Sequence, residues 1–148
     1  MSTIKIKSIT AVLLALFIAA GGSIAISAAA QKTEQSKTRV YYFHGNQRCK
    51  TCKKIEALTK KTVEESFAGQ LQDGSMELQV VNVDLPEKEH FVKEYELAVR
   101  SVVVSKMEGG KETNWRRLDK VWQLVHDEPA FSDYLRTEIA ALNQGAGS

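Results

Sequence analysis

The chain has 148 residues, 43% of them apolar, which is room for one domain and one hydrophobic core. Its formal net charge of +2 comes from 20 basic and 18 acidic side chains, and two of the basic ones, Lys5 and Lys7, are the only charges among the first thirty residues. The rest of the chain carries 18 charges of each sign, which removes the electrostatic case for nucleic acid as a partner.

The first thirty residues read as a targeting segment. Lys5 and Lys7 precede an apolar run from Ile9 to Ala20, Gly21-Gly22-Ser23 weaken it, and Ala28-Ala29-Ala30 place small residues just before Gln31. That is the layout of a cleaved secretory signal peptide. The alternative is an uncleaved anchor, since Ile9 to Ala30 is 22 residues without a charge and a span needs about 20. No cysteine lies here, so a lipid-modified anchor is excluded. In either case the two lysines stay inside and the remainder is sent out of the cytoplasm, to be periplasmic or membrane-anchored facing outward. Residues 31–38 are polar and aperiodic, a tether. The folded domain is expected over residues 39–142, followed by a flexible tail at 143–148.

Val40-Tyr41-Tyr42-Phe43 is β-branched and aromatic without a breaker, as expected of a strand buried on both faces. His44 to Arg48 is loop chemistry. Cys52, Ile55, Leu58, Thr62 or Val63, and Phe67 then recur at helical spacing, marking an amphipathic helix that starts near Cys49. A polar loop is expected over Gly69–Ser75, and Met76–Val83 reads as a second buried strand. Pro86 suits the first turn of a helix, with Phe91, Tyr95, Ala98 and Val99 as its apolar face. Val102-Val103-Val104 starts a third strand. Glu108-Gly109-Gly110-Lys111 turns it into a fourth, ending near Trp115. Leu118, Val121, Trp122 and Val125 form another helical face. The helix restarts at Asp127-Glu128-Pro129 and buries Phe131, Leu135, Ile139 and Leu142. The order β-α-β-α-β-β-α, with a parallel pair early and a hairpin late, specifies an α/β fold: a four-stranded mixed sheet with helices on both faces.

Two cysteines stand in the chain, at 49 and 52. A structural disulfide closing so short a loop stabilises little. A zinc site needs four ligands and there is no second pair. Covalent haem attachment needs His after the second Cys, where Lys53 stands. A redox-active dithiol needs this spacing, with the first sulfur at a helix N-terminus where the dipole favours thiolate. Cys49 is therefore assigned as nucleophile and Cys52, one turn inward, as resolving thiol. Arg48, Lys50, Lys53 and Lys54 place four positive charges at the helix start and read as thiolate-stabilising, with ordinary solvated lysines as the alternative. His90, His126 and Met107 are not spaced to the cysteines as a ligand set, so neither a metal nor another cofactor is expected.

The strand Val40–Phe43, the Cys49-Lys50-Thr51-Cys52 motif, the strand ending at Val83-Asp84 and the hairpin at Gly109-Gly110 resemble the thioredoxin order over about residues 39–142. Tyr42-Phe43-His44, Val83-Asp84 with Pro86-Glu87, and Ser101-Val102-Val103 with the Trp122 helix are most similar to small exported bacterial thioredoxin-like proteins. Those proteins are known as nitrophenyl-compound nitroreductase subunits of the ArsF type. Two departures matter. Thioredoxins carry a cis-proline at the start of the third strand, where this chain has Arg100-Ser101-Val102-Val103. The cis-proline-equivalent region is thus Val102 and Val103, and a trans bond is expected there, because a non-proline cis bond costs about 3–4 kcal/mol. Many thioredoxins also bury an acid in the first strand, where Tyr41, Tyr42 and Phe43 stand, leaving His44 as a possible proton shuttle.

Three functions compete: an exported thiol–disulfide oxidoreductase or dithiol electron carrier, a thiolate-based metal or metalloid carrier, and a non-catalytic interaction module with a passive disulfide. For the first, the partner is expected to be a dedicated redox protein or a membrane electron donor. Contact with the membrane itself would come only through an uncleaved N-terminal segment.

Overall fold

The computed structural model describes residues 36–145. The targeting segment, most of the tether and the last three residues of the tail lie outside them. Strand β1 (Lys37–His44) is interior, flanked by β2 (Met76–Asn82) in parallel and by β3 (Val102–Glu108) antiparallel. Strand β4 (Lys111–Arg117) pairs antiparallel with β3, giving the sheet order β2-β1-β3-β4. The turn between β3 and β4 is Gly109-Gly110, with φ of 59° and 73°. Positive φ at both central residues is what a two-residue hairpin of matching twist requires. The parallel β1–β2 pair needs a long crossover, supplied by α1 (Lys50–Ser66) and α2 (Ala68–Asp73).

Alternation along β1 divides the core. Val40 and Tyr42 join Val102 and Val104 beneath α1, the short α4 (Val121–Leu124) and α5 (Glu128–Gln144), with Ile55, Leu58, Phe131, Leu135 and Ile139 buried among them. Tyr41 and Phe43 face the other way, with Val103, Val81, Val83 and the residues of and after α3 (His90–Glu94), notably Phe91, Tyr95 and Leu97. This is the α/β architecture expected from the sequence: a mixed four-stranded sheet with helices on both faces. Among the described residues no helix is long and apolar enough to cross a membrane.

Several boundaries differ from the sequence expectation. Strand β1 starts at Lys37, inside the expected tether, because Thr38 is buried and its hydroxyl donates to the Asn143 side chain at 2.8 Å. The same contact orders part of the expected tail, and α5 runs to Gln144. The expected polar loop after α1 holds the helix α2, closed by Gly74 at φ 78°. Strand β2 is an edge, not a buried strand, and leaves Val80 37% exposed. The helix expected after Pro86 is a 3₁₀ turn (Pro86–Lys88) followed by only the five residues of α3. Glu96 at φ 50° ends it, so Tyr95 and Leu97 are buried while Val99 is exposed.

Each of the chain's four tyrosines has its phenol pKa raised, with burial the largest cause in every case. Tyr95 is raised most, because its hydroxyl also donates to the Glu112 carboxylate at 2.6 Å. A phenol that binds its proton more tightly in the folded state adds stability below its unfolded pKa of about 10, and that stability is lost as pH rises beyond it. On alkaline titration, phenolate absorbance should therefore stay low through pH 10 and then rise together with loss of near-UV circular dichroism. Gradual ionisation centred near pH 10 in a protein that keeps its tertiary signal would contradict this.

Candidate functional site

Cys49 is the N-cap of α1, in extended conformation, and its sulfur accepts the Cys52 N–H at 3.0 Å. The two cysteines are joined as a disulfide, with Cα atoms 5.1 Å apart. They are unequal. Cys49 is exposed, whereas Cys52 is 8% exposed and sits beneath it. A sulfur that caps a helix N-terminus faces unpaired N–H groups and the positive end of the dipole, and both favour negative charge on it. The first turn of α1 contains no acid to compete for that position.

The four expected cations are treated differently by the fold. Arg48 forms an ion pair with the half-buried Glu56, which also binds Lys60 at 2.9 Å. Lys50, Lys53 and Lys54 are exposed, and among the described residues no carboxylate lies within ion-pair distance of them. His44 stacks on Tyr42 with ring centres 6.2 Å apart, and its Nδ1 lies 3.0 Å from the Gly45 carbonyl. No hydrogen bond among the described residues joins His44 to either cysteine. Val102 and Val103 are fully buried inside β3, opposite Tyr42 and Tyr41 and facing opposite sides of the sheet. The connection that enters β3 is Arg100-Ser101, and the Ser101 carbonyl accepts the Phe43 N–H at 2.9 Å.

Two features were not anticipated from the sequence. The buried Tyr42 hydroxyl donates to the Cys52 carbonyl at 2.6 Å, so a phenol lies directly against the Cys52 backbone. Burial pushes its pKa up, and the charges of Arg48 and Arg100 work against that rise. Secondly, Asp84, just beyond β2, accepts the Asn46 N–H at 2.7 Å and pairs with Arg100 at 2.9 Å. Asn82 adds a bond to the Asn46 side chain at 2.8 Å, and the Trp122 indole donates to the Arg100 carbonyl at 2.8 Å. A Cβ at Gly45 would collide with the Arg100 guanidinium and come within 2.6 Å of Asp84 Oδ2. Gly45 therefore leaves room for the pair that ties the loop before Cys49 to the loops after β2 and before β3. Alternation in β1 carried a signal for Tyr42, because residues 40 and 42 share the face that α1 covers.

No family model matches the chain, and no curated protein matches it. Among solved structures it is similar to the thioredoxin of Fasciola hepatica at 17% identity and a TM-score of 0.45, over 74% of this chain and 84% of that one. It is similar to the thioredoxin of Trypanosoma brucei brucei at 16% identity and a TM-score of 0.41, over 73% and 80% of the two chains. For mitochondrial thioredoxin 3 of Saccharomyces cerevisiae in its oxidised form, the identity is 17% and the TM-score 0.40, over 68% and 82%.

Proposed function

We propose that the chain is an exported thiol–disulfide oxidoreductase or dithiol electron carrier cycling between the Cys49–Cys52 disulfide and the dithiol. The observation that carries this reading is the asymmetry of the pair: an exposed sulfur capping α1, bonded to a buried one. In the oxidised form a partner thiolate attacks Cys49, the S–S bond breaks, and Cys52 leaves as a thiolate that takes up a proton. A second partner thiolate then attacks the partner's own sulfur in the mixed disulfide and releases Cys49. Two partner thiolates become one disulfide and two electrons pass to the protein, with Cys49 released as the thiolate and Cys52 carrying the proton it took up.

Export rests on the Lys5/Lys7, apolar-run and Ala-rich pattern of residues 1–30. Kinship with the nitrophenyl-compound nitroreductase subunits rests on the sequence stretches around His44, Asp84 and Trp122. A dedicated redox partner is inferred from the lack of a proline in Arg100-Ser101-Val102-Val103, the stretch that enters β3, where thioredoxins carry one.

The test is an equilibrium titration of the full chain in dithiothreitol buffers of graded potential, with reduced thiols counted by alkylation and mass spectrometry. We expect one two-electron transition, at a potential above the roughly −300 mV below which structural disulfides lie. A pair that stays oxidised until the protein is unfolded would overturn the reading.

A further inference from the structure

We infer that the face around Cys49 is built to receive an anionic partner, a protein whose reactive cysteine or disulfide is flanked by acidic residues. This rests on the redox reading of the pair. Six cations occur at or along α1, and they separate into two sets. Arg48 and Lys60 are bound to Glu56, and Lys61 is bound to Glu128 at 2.7 Å. Lys50, Lys53 and Lys54 remain exposed, without an ion pair among the described residues. Their helical spacing puts them on one face of the first turns, next to the exposed sulfur.

That location is unfavourable for the helix itself, since cations at an N-terminus oppose the dipole. It does not come from general basicity either, because beyond the first thirty residues the chain carries 18 charges of each sign. Arg100, the other nearby cation, is neutralised by Asp84. Three positive charges without an ion pair among the described residues thus flank the exposed sulfur of Cys49, in a sequence whose charges beyond residue 30 balance overall. Such a field steers an anionic partner in and repels a cationic one, and salt weakens it.

The test uses the full chain in its reduced form and three small aliphatic disulfides: the dianion 3,3′-dithiodipropionate, neutral 2-hydroxyethyl disulfide and the dication cystamine. Each exchange rate is divided by the rate of the same probe with 2-mercaptoethanol. The ratio of dianion to dication cancels the thiolate fraction of Cys49, so it separates steering of the partner from stabilisation of the thiolate. We expect a ratio of about tenfold or more at about 10 mM salt, falling to within about threefold at about 0.5 M, where screening shortens to a few ångströms. Replacing Lys50, Lys53 and Lys54 together by Gln should bring the low-salt ratio near one, and Lys53→Glu alone should lower it part of the way. A ratio near one in the unaltered chain, or a ratio that survives the triple replacement, overturns the inference. A chain unreactive toward all three probes overturns the redox reading, and this inference with it.

Discussion

A Cys52→Ser variant mixed with a disulfide substrate is expected to accumulate as a stable mixed disulfide through Cys49, while Cys49→Ser exchanges at background rate. The difference should be close to all-or-none, because a serine hydroxyl at neutral pH does not replace a thiolate as nucleophile or leaving group. Cys49 is the sulfur that solvent reaches and the one that caps α1, while Cys52 is buried below it. With Cys52 removed, nothing resolves the adduct from within. Cys49 can then be titrated alone by its alkylation rate against pH. Its pKa should lie below the free-thiol value of about 8.5, because the helix terminus and the three open lysines both favour the charged form. Replacing those lysines by Gln should move that pKa back up, more at low salt than at high. Adduct formation on Cys52 instead of Cys49, or a Cys49 pKa at or above the free value, would reverse the assignment of roles.

The sequence made the centre of the molecule legible and left its margins obscure. β1 was readable because Val40 to Phe43 are apolar on both faces, a pattern only an interior strand needs. α5 was readable because Phe131, Leu135, Ile139 and Leu142 repeat at helical spacing, and all four are buried. The cysteine spacing, set between a strand and an amphipathic helix, located the site. The margins depend on tertiary partners that no local pattern encodes. Lys37 and Thr38 look like tether until Thr38 meets Asn143, 105 residues away. Met76 to Val83 carries enough apolar residues for a buried strand, yet its place at the sheet edge follows from which strand β1 pairs with on its other side. Phe91, Tyr95, Ala98 and Val99 satisfy a helical period, but the backbone turns at Glu96 and only part of that face reaches the core. In the site the same division holds. Arg48 counted as one of four equal cations until Glu56 was found beside it, and the pairing of Asp84 with Arg100 joins loops that are separate in sequence.

That pairing should be the main non-covalent support of the site, so Asp84→Ala is expected to destabilise the protein by about 2 kcal/mol and loosen the loop that carries Cys49. One Asp84 oxygen accepts the Asn46 N–H and the other holds Arg100. Hydrogen bonds to a charged group are worth about 1.5–3 kcal/mol each, and the two side chains are 32% and 36% exposed, so solvent screening brings the sum down. Asp84→Asn keeps an acceptor for Asn46 but loses the charge that holds Arg100, and should cost about 1 kcal/mol. Gly45→Ala attacks the same pair from below, since its Cβ meets the Arg100 guanidinium and Asp84 Oδ2, and should move Arg100 without touching either partner's chemistry. Denaturant unfolding gives the stability ranking, and hydrogen exchange at the Asn46 amide reports on the loop. Loss of protection at Asn46 in Asp84→Ala, with protection retained at interior amides such as those of Val103 and Val104, would show local loosening and not general unfolding. An Asp84→Ala protein as stable as the unaltered one, with its Asn46 amide still protected, would mean that the Asn82–Asn46 and Trp122–Arg100 bonds hold these loops by themselves.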